Sequence, residues 1–568
     1  MVKNSNSENR ELNAPFIAIT GIVVTLIVTP SISFDPINLP KMCVLTLGAI
    51  LLLPNLWASR YKLPGEFMLL GLISVFLVIL NFFFTSGSNF QKFYGVWGRS
   101  TGALTYLGFF VVLFAAASLV EWSSRRYILV LFRKLSYIVT TYTVLQLMDL
   151  DPINWSSREP VATLGNINFM SSFLGLASIL IFFEAYNSRK SFFSFTNYLF
   201  WIVTNLGVIW ISGSLQGIAV FAAGVTIQIT FHIRKMRPRI SILYLVASVS
   251  LGTLLLIGTF GSGPFGARLI QNSALFRLDY WRAGLKMSLD NPFFGVGFDS
   301  YGDYYRLYRD QTAASRTGPQ RVSNTAHNLF LDISTGAGLP MAIAFICILI
   351  LLTWKLLKMQ SDIEPFQQER VLYLSLIAGL LIFYTISIHQ IGIGIWGMIF
   401  LGLAISLISN YNSRSLIRES RLKSKSAIAG KNVLDYTATF KLSHFPIFLV
   451  LSFILAAIIC FVPAKSDVKM LHSLKTRDRV ELSEVGNATR SALYLREFYL
   501  DNLMKSGELN TATVAAKTVL SQYPRSYLAL SIISFSEYSS LSEKNIARTK
   551  LLQQDPWNFQ LKEQLQKE

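Results

Sequence analysis

The sequence predicts an all-α polytopic membrane protein with about 12–13 transmembrane helices and a small helical domain behind the last of them. Three observations lead there. Hydrophobic residues make up 52% of 568 and charged residues 15%, and mean hydropathy is +0.45, values that soluble domains of this length do not show. The apolar residues gather in runs of about 20, the length a helix needs to cross hydrocarbon with its backbone polar groups satisfied internally. The excess of basic residues, 51 against 32 acidic, falls largely in alternate connections between those runs, as cytoplasmic anchoring requires.

The candidate spans are 15–34, 41–57, 66–85, 102–120, 129–148, 168–186, 192–212, 215–233, 240–260, 329–353, 371–388, 391–409 and 445–463. The first ends in "VTPSISF", which offers no small-x-small cleavage site, so it reads as an uncleaved anchor rather than a signal peptide. With the N-terminus inside, the even-numbered spans end in basic connections: Arg60 and Lys62, Arg125 and Arg126, Arg189 and Lys190, "RKMRPR" at 234–239, then Lys355, Lys358 and Arg370. The last inside connection, 410–444, adds Arg414, Arg418, Arg421, Lys423, Lys425, Lys431 and Lys441. Outside connections such as "SISFDPINLP" and "HQIGIGI" carry almost no positive charge. This pattern explains the basic balance without nucleic acid. Cys43, Cys347 and Cys460 lie far apart in apolar runs, which argues for neither a disulfide framework nor a zinc site. The organisation that follows is a cytoplasmic N-terminus (1–14), nine helices (15–260), a large outside loop (261–326), four helices (327–463) and a helical tail (464–568).

Two outside segments break the charge rule: "QKFYGVWGRST", with Lys92 and Arg99, and the 261–326 loop. The loop holds Arg268, Arg277, Arg282, Lys286, Arg306, Arg309, Arg316 and Arg321 against Asp279, Asp290, Asp299, Asp303 and Asp310. A solvated loop with local ion pairs accounts for any one of these arginines, but less readily for so many cations on that side. Within it, "ALFRLDYWRAGLKMSLDNPFFGVGFDSY" (274–301) reads as a helix and then a turn. Arg277 and Trp281 stand one helical turn apart, Arg282 and Lys286 form a second basic edge, Asp290, Asn291 and Pro292 end the helix, and Gly295 and Gly297 permit a tight backbone. Such a helix suits the outer membrane surface, where an arginine fork grips phosphate bidentately. Asn324, His327 and Asn328 face the same compartment at the outer end of the tenth span. An imidazole accepts a proton at neutral pH, so His327 is a candidate base as well as a candidate hydrogen-bonded anchor. His389, between spans eleven and twelve, is its competitor.

"RLDYWRAGLKMSLDNPFFGVGFDSY" followed by "NTAHNLFLDISTGAGLPMAI" resembles the core signature of the O-antigen ligase and O-antigen polymerase superfamily. That signature has an Arg and Trp helix, a P-[LF]-F-G-x-G turn, and a His-Asn pair opening a membrane helix. "GVWGRSTGALTYL" (95–107) and "TLGNINFMSSFL" (163–174) are similar to the superfamily's earlier outside loops, and the likeness covers roughly residues 15–409. It implies a polytopic glycosyltransferase of the C type in a bacterial cytoplasmic membrane, working outside it, without a metal or other cofactor. The implied donor is a glycan on a polyprenyl diphosphate, and the implied acceptor a lipid, polysaccharide or protein. His327 would deprotonate or orient the acceptor hydroxyl and Arg277 would contact the diphosphate. Arg282, Arg99, Arg321, Asn328 and Trp281 are the further substrate-binding candidates. Asp299 and Asp303 suit a cation less well than ion pairs, for the same loop is crowded with arginines. One departure stands out. Where the superfamily often shows Ser-Arg-Gly, this chain reads "SGSLQGIAV", with Gln216 in the arginine's place, so that either another arginine, Arg99 or Arg158, substitutes or the donor is gripped differently.

In the tail, "KTVLSQYPRSYLAL" (from 517) aligns with "TKLLQQDPWNFQLK" (from 549), pairing Pro524 with Pro556 and Tyr527 with Phe559. That resembles tetratricopeptide-like helix pairs, whose period is about 34, and implies a surface for an acceptor or protein partner; a plain helical cap is the alternative. The resemblance implies a ligase, with a polymerase or a protein O-oligosaccharyltransferase of the superfamily as the alternatives. A transporter of a small or lipid-linked solute is the alternative from another class, although transporters place ionisable groups at the bilayer midplane and these spans are nearly free of charge.

Overall fold

The computed structural model describes residues 11, 13–153, 155, 158–318, 320–360, 363–423 and 445–567. Among them the regular structure is helical throughout. The first half comprises α1 (Asn13–Leu26), α2 (Asn38–Ser59), α3 (Gly65–Phe84), the short α4 (Asn89–Tyr94), α5 (Ala103–Ala117), α6 (Trp122–Leu147), α7 (Ile167–Asn187), α8 (Phe192–Ile211), α9 (Gln216–Met236) and α10 (Pro238–Thr259). The large loop folds into α11 (Gly266–Leu269), α12 (Asn272–Asp290), α13 (Tyr301–Tyr308) and α14 (Gln311–Thr317). Then come α15 (Leu329–Ala337), α16 (Leu339–Lys358), α17 (Glu364–Ile386), α18 (Ile391–Lys423) and α19 (Phe445–Thr476). The tail adds α20 (Arg479–Asn487), α21 (Leu493–Lys505), α22 (Leu509–Leu520), α23 (Tyr527–Phe535), α24 (Leu541–Gln554) and α25 (Phe559–Lys567).

Twelve of the thirteen expected spans each coincide with one apolar helix, and the tenth with two. Eleven are long and apolar enough to cross a bilayer, while α1 and α5 have only 14 and 15 residues. At 1.5 Å per residue such a helix falls short of a hydrocarbon core about 30 Å thick, so its end must be satisfied by protein. Lys41 does this for α1. Its fully buried ammonium donates to the carbonyls of Val24 at 2.8 Å, Thr25 at 2.7 Å and Ile27 at 3.1 Å, capping the helix C-terminus where a cation is favoured. The bundle is built around α18, whose apolar stretch is 100% buried, whereas α10 is only 6% buried and leaves its apolar surface to lipid.

The connections segregate to two ends. One end gathers Glu11 with Lys62, the carbonyl of Lys62 with Ser409, that of Val120 with Asn410, and Arg125 with Glu369. The other gathers Asn38 with Gly98 and Gln390, Thr25 with Thr163, Arg99 with Asn324, and the tail. Among the described residues the first connection's basic residues and the tail therefore lie at opposite ends of the bundle. Residues 1–10, 12 and 424–444 lie outside the described residues, and with them Lys425, Lys431 and Lys441. Reporters fused after Ser59 or Arg239 are expected to read cytoplasmic and those after Ser315 or Gly507 external. A cytoplasmic reading at Gly507 removes the shared compartment of tail and loop.

Two boundaries differ from the sequence reading. The tenth span, expected as one helix over 329–353, is broken at Gly338, with the half-helix α15 before it and α16 after it. Apolarity runs through the break, but glycine then proline is a stop followed by a start. Gly338 has φ +90, and a Cβ there would lie 2.2 Å from the Phe293 carbonyl oxygen. The "PFFGVG" turn fills the gap. Leu339 N donates to Pro292 O at 2.7 Å, Val296 N to Thr335 O at 2.7 Å, and Gly297 N to Gly336 O at 3.1 Å, while the Asn81 amide donates to Phe294 O and Gly336 O. Non-helical backbone between two apolar helices persists because protein supplies these partners. The second difference is α19, which runs on past Pro463 to Thr476 instead of ending at 463. Beyond the proline its side chains find a new surface in the connections between α1 and α2 and between α4 and α5: Asp467 accepts from the Ser33 hydroxyl at 2.9 Å, Phe34 N at 2.6 Å and Trp97 Nε1 at 2.8 Å.

The tail has its own core, centred on Leu500, Ala516, Val519, Ala529 and Leu551. Pro524 lies between α22 and α23 and Pro556 between α24 and α25, so the aligned stretches occupy equivalent places in successive helix pairs. The tail is locked onto the loop by the fully buried pair Arg309–Asp555 at 2.7 Å, reinforced by Arg306–Asp555 at 3.1 Å. Breaking such a pair from one side leaves an uncompensated buried charge, which costs about 3–5 kcal/mol.

Candidate functional site

Three connections meet at the end of the bundle that carries the tail: 95–102 before α5, 293–300 after α12, and 321–328 before α15. Each holds a non-glycine residue in the left-handed region, namely Ser100 (φ 54), Asp299 (φ 54) and His327 (φ 52), a strain that surrounding contacts must hold in place. Carboxylates do so. Asp299 accepts from Val96 N at 3.0 Å, Thr101 N at 3.2 Å and the Thr101 hydroxyl at 2.8 Å, and pairs with Arg99 at 3.3 Å. Asp332, on the first turn of α15, accepts from Ala326 N at 2.7 Å and the Thr325 hydroxyl at 3.1 Å, while His327 N donates to the Thr325 hydroxyl at 2.8 Å. The histidine's backbone is thus fixed from below.

His327 is half-buried, and its imidazole stacks on Tyr280 of α12 with ring centroids 5.4 Å apart. Among the described residues its ring nitrogens make no hydrogen bond. Burial, then the cations Arg277 and Arg99, hold its pKa down to about 4, so at neutral pH it is an uncharged acceptor. Arg277, half-buried on α12, has no ion-pair partner among the described residues, and burial lowers its pKa from the ordinary value. Arg99 donates to Asn324 O at 2.8 Å, and its Nε is enclosed without a partner.

The other expected site residues divide. Trp281 packs edge-on against Phe260 at 6.1 Å, its indole nitrogen enclosed and unpartnered. Asn328 caps α15, its side-chain oxygen accepting from Leu331 N at 3.1 Å. Arg321 is exposed, and its charge acts on Tyr280. Arg282 turns away to Asp279 and Asp310 at 4.0 and 3.9 Å. His389 is 2% exposed, packed between Tyr106 and Phe109 with both ring nitrogens enclosed and unpartnered, and burial drives its pKa down to about 3. Gln216 is buried at the start of α9, where its amide donates to the Ser172 hydroxyl at 2.8 Å; Arg158 is exposed. Asp299 is committed to the contacts above and Asp303 to the Gln91 amide at 2.8 Å. Among the described residues no group of three or more His, Cys, Asp or Glu side chains is placed to hold a metal ion.

Tyr280 and Asp332 were not singled out from sequence. Tyr280 had a signal, lying three residues from Arg277 and so beside it on the helix surface. Asp332 had none that distinguishes it from an ordinary first-turn carboxylate.

The fold and this cluster define a polytopic helical membrane protein with a histidine and arginine site at one end of its bundle. The family model of the O-antigen ligase matches residues 198–346, about a quarter of the chain, which runs from α8 into α16 and holds Arg277, Trp281, Arg321, His327 and Asn328. Arg99, His389 and the tail lie outside the match. No curated protein matches the chain.

Proposed function

We propose that the chain is a membrane glycosyltransferase of the O-antigen ligase kind, which moves a glycan from a polyprenyl diphosphate to a hydroxyl of a lipid, polysaccharide or protein acceptor outside the cytoplasmic membrane. The observation that carries this reading is a half-buried His327, stacked on Tyr280 with its ring nitrogens unbonded among the described residues, on the same side of the loop as a cation, Arg277, that no carboxylate among them neutralises. The acceptor oxygen forms the new bond to the anomeric carbon and its proton passes to His327. The old bond's electron pair leaves on the diphosphate, whose growing charge Arg277 stabilises. Donor binding also tunes the base. With Arg277 neutralised by the diphosphate, one of the causes that depress His327 is removed, and its proton affinity rises when the acceptor must be deprotonated.

This coupling predicts the pH profile. A histidine depressed to about 4 stays unprotonated well below its ordinary 6.5, so kcat/KM, which reports the free enzyme, holds to about pH 5 and falls below it. At saturating donor the acid limb of kcat moves to higher pH. Purified protein in liposomes, given labelled polyprenyl diphosphate glycan and acceptor in chelator, is the test; full loss of turnover restored by a divalent ion contradicts arginine as the phosphate clamp. An acid limb at the same pH in both parameters contradicts the coupling.

A further inference from the structure

Between tail and loop lies a cavity of about 630 Å³, within the range of about 300–1,000 Å³ usual for small-ligand sites. Its walls come from the segment after α3 (Ser88), from α13 (Asp303, Tyr304) and from the tail (Tyr523, Arg525, Gln554). We propose that this cavity is an oligosaccharide-binding subsite, which holds the saccharide of an incoming substrate on its way to His327. The proposal rests on the transferase reading above.

The wall chemistry suits sugar hydroxyls, which both donate and accept. Arg525 donates through Nε to Asp303 O at 3.0 Å and lies 4.0 Å over the Tyr304 ring, yet its Nη2 is enclosed with no partner. An enclosed unpaired donor in a cavity wall calls for an acceptor. Asp303 presents the converse: Oδ2 is taken by Gln91, while Oδ1 makes no hydrogen bond among the described residues. The Tyr304 hydroxyl, paired with Ser86 at 3.1 Å, and the serine and glutamine side chains complete a mixed donor and acceptor set. A peptide would ask instead for backbone partners in series along a groove.

Position supports the same ligand. Tyr301 and Tyr305 turn one face of α13 into a cluster with Ala283, Met287 and Ala326, and the Tyr301 hydroxyl donates at 2.7 Å to the carbonyl of Tyr280, on which His327 stacks. Asp303, Tyr304 and Leu307 line the cavity from the opposite face. The cavity and the Tyr280–His327 pair therefore lie on opposite faces of α13.

The test is equilibrium binding of short fluorescent oligosaccharides, neutral and uronic-acid-containing, to the full-length protein in nanodiscs, with a serine-rich peptide alongside. Wild type is expected to bind a saccharide saturably. Arg525→Ala, which removes the unpaired donor, and Gln553→Trp, which fills the cavity from an exposed position on α24, are each expected to weaken binding at least about tenfold, or 1.4 kcal/mol. No saturable saccharide binding, undiminished binding in both variants, or binding of the peptide alone overturns the proposal. Because the assay needs no turnover, saccharide binding without glycan transfer sinks the transferase reading and keeps the subsite. Transfer without saccharide binding does the reverse.

Discussion

His327→Ala is expected to lower glycan transfer by about 100- to 10,000-fold, the usual contribution of a general base, with membrane insertion and abundance near normal. The side chain is half-buried and makes no hydrogen bond among the described residues, so its loss opens no packed core. Its backbone is the complication. At φ 52, alanine carries a left-handed strain of about 1–2 kcal/mol, which histidine bears there as well and asparagine tolerates better. His327→Asn therefore serves as the control, keeping the loop geometry and removing the base, and it is expected to be as inactive as the alanine variant. A loss smaller than about tenfold in both removes the role from His327. Activity in His327→Ala with inactivity in His389→Ala would transfer it to His389, and would require the enclosure by Tyr106 and Phe109 to open during turnover.

Much of the membrane architecture was legible because the bilayer leaves the chain so few choices. Satisfying every backbone group within a span forces long apolar helices, and all but one of the thirteen runs met a single helix. What hydropathy cannot report is where such a run is interrupted. The residues 329–353 are apolar on both sides of Gly338, and only the glycine–leucine–proline punctuation marks the break between α15 and α16. Pro463 illustrates the opposite error, since a proline reads as a stop, yet α19 continues because Asp467 and Met470 find partners on other elements.

At the candidate site, the sequence proposed individual residues but not the contacts that arrange them. Arg277, Arg99, Asn324 and His327 come together although 228 positions separate the first connection from the last. No local pattern shows that Asp299 and Asp332 fix the strained connections, or that Tyr280 supplies the ring on which the imidazole rests. Nor does sequence distinguish arginines that are free from arginines that are spent. Arg277, Arg282 and Arg309 read alike in one basic loop, yet Arg282 faces two carboxylates and Arg309 is buried against Asp555. Among the described residues only the first of these three is left for a ligand.

That difference makes Arg277→Lys the most informative substitution. Arginine offers a planar fork that matches two phosphate oxygens, whereas lysine gives a compact single charge. The variant preserves the net charge of the loop and the cation that depresses His327, yet it is expected to lose about 30- to 1,000-fold in transfer rate, the equivalent of about 2–4 kcal/mol for charge-assisted contacts in a partly dry site. Arg277→Ala is expected to lose at least as much and also to move the acid limb of kcat/KM to higher pH, since one of the groups holding His327 near 4 is then gone. The two variants thus separate the fork from the charge: lysine should leave the acid limb in place while the rate falls, and alanine should change both. An undiminished rate in the lysine variant keeps the enzyme and moves the clamp elsewhere, to Arg99 or Arg321. A protein that merely gathers anions at its outer face, as a transporter would, tolerates the lysine and transfers no glycan in any variant, so that failure of wild type to transfer labelled glycan to every lipid, polysaccharide and protein acceptor supplied decides for that class instead.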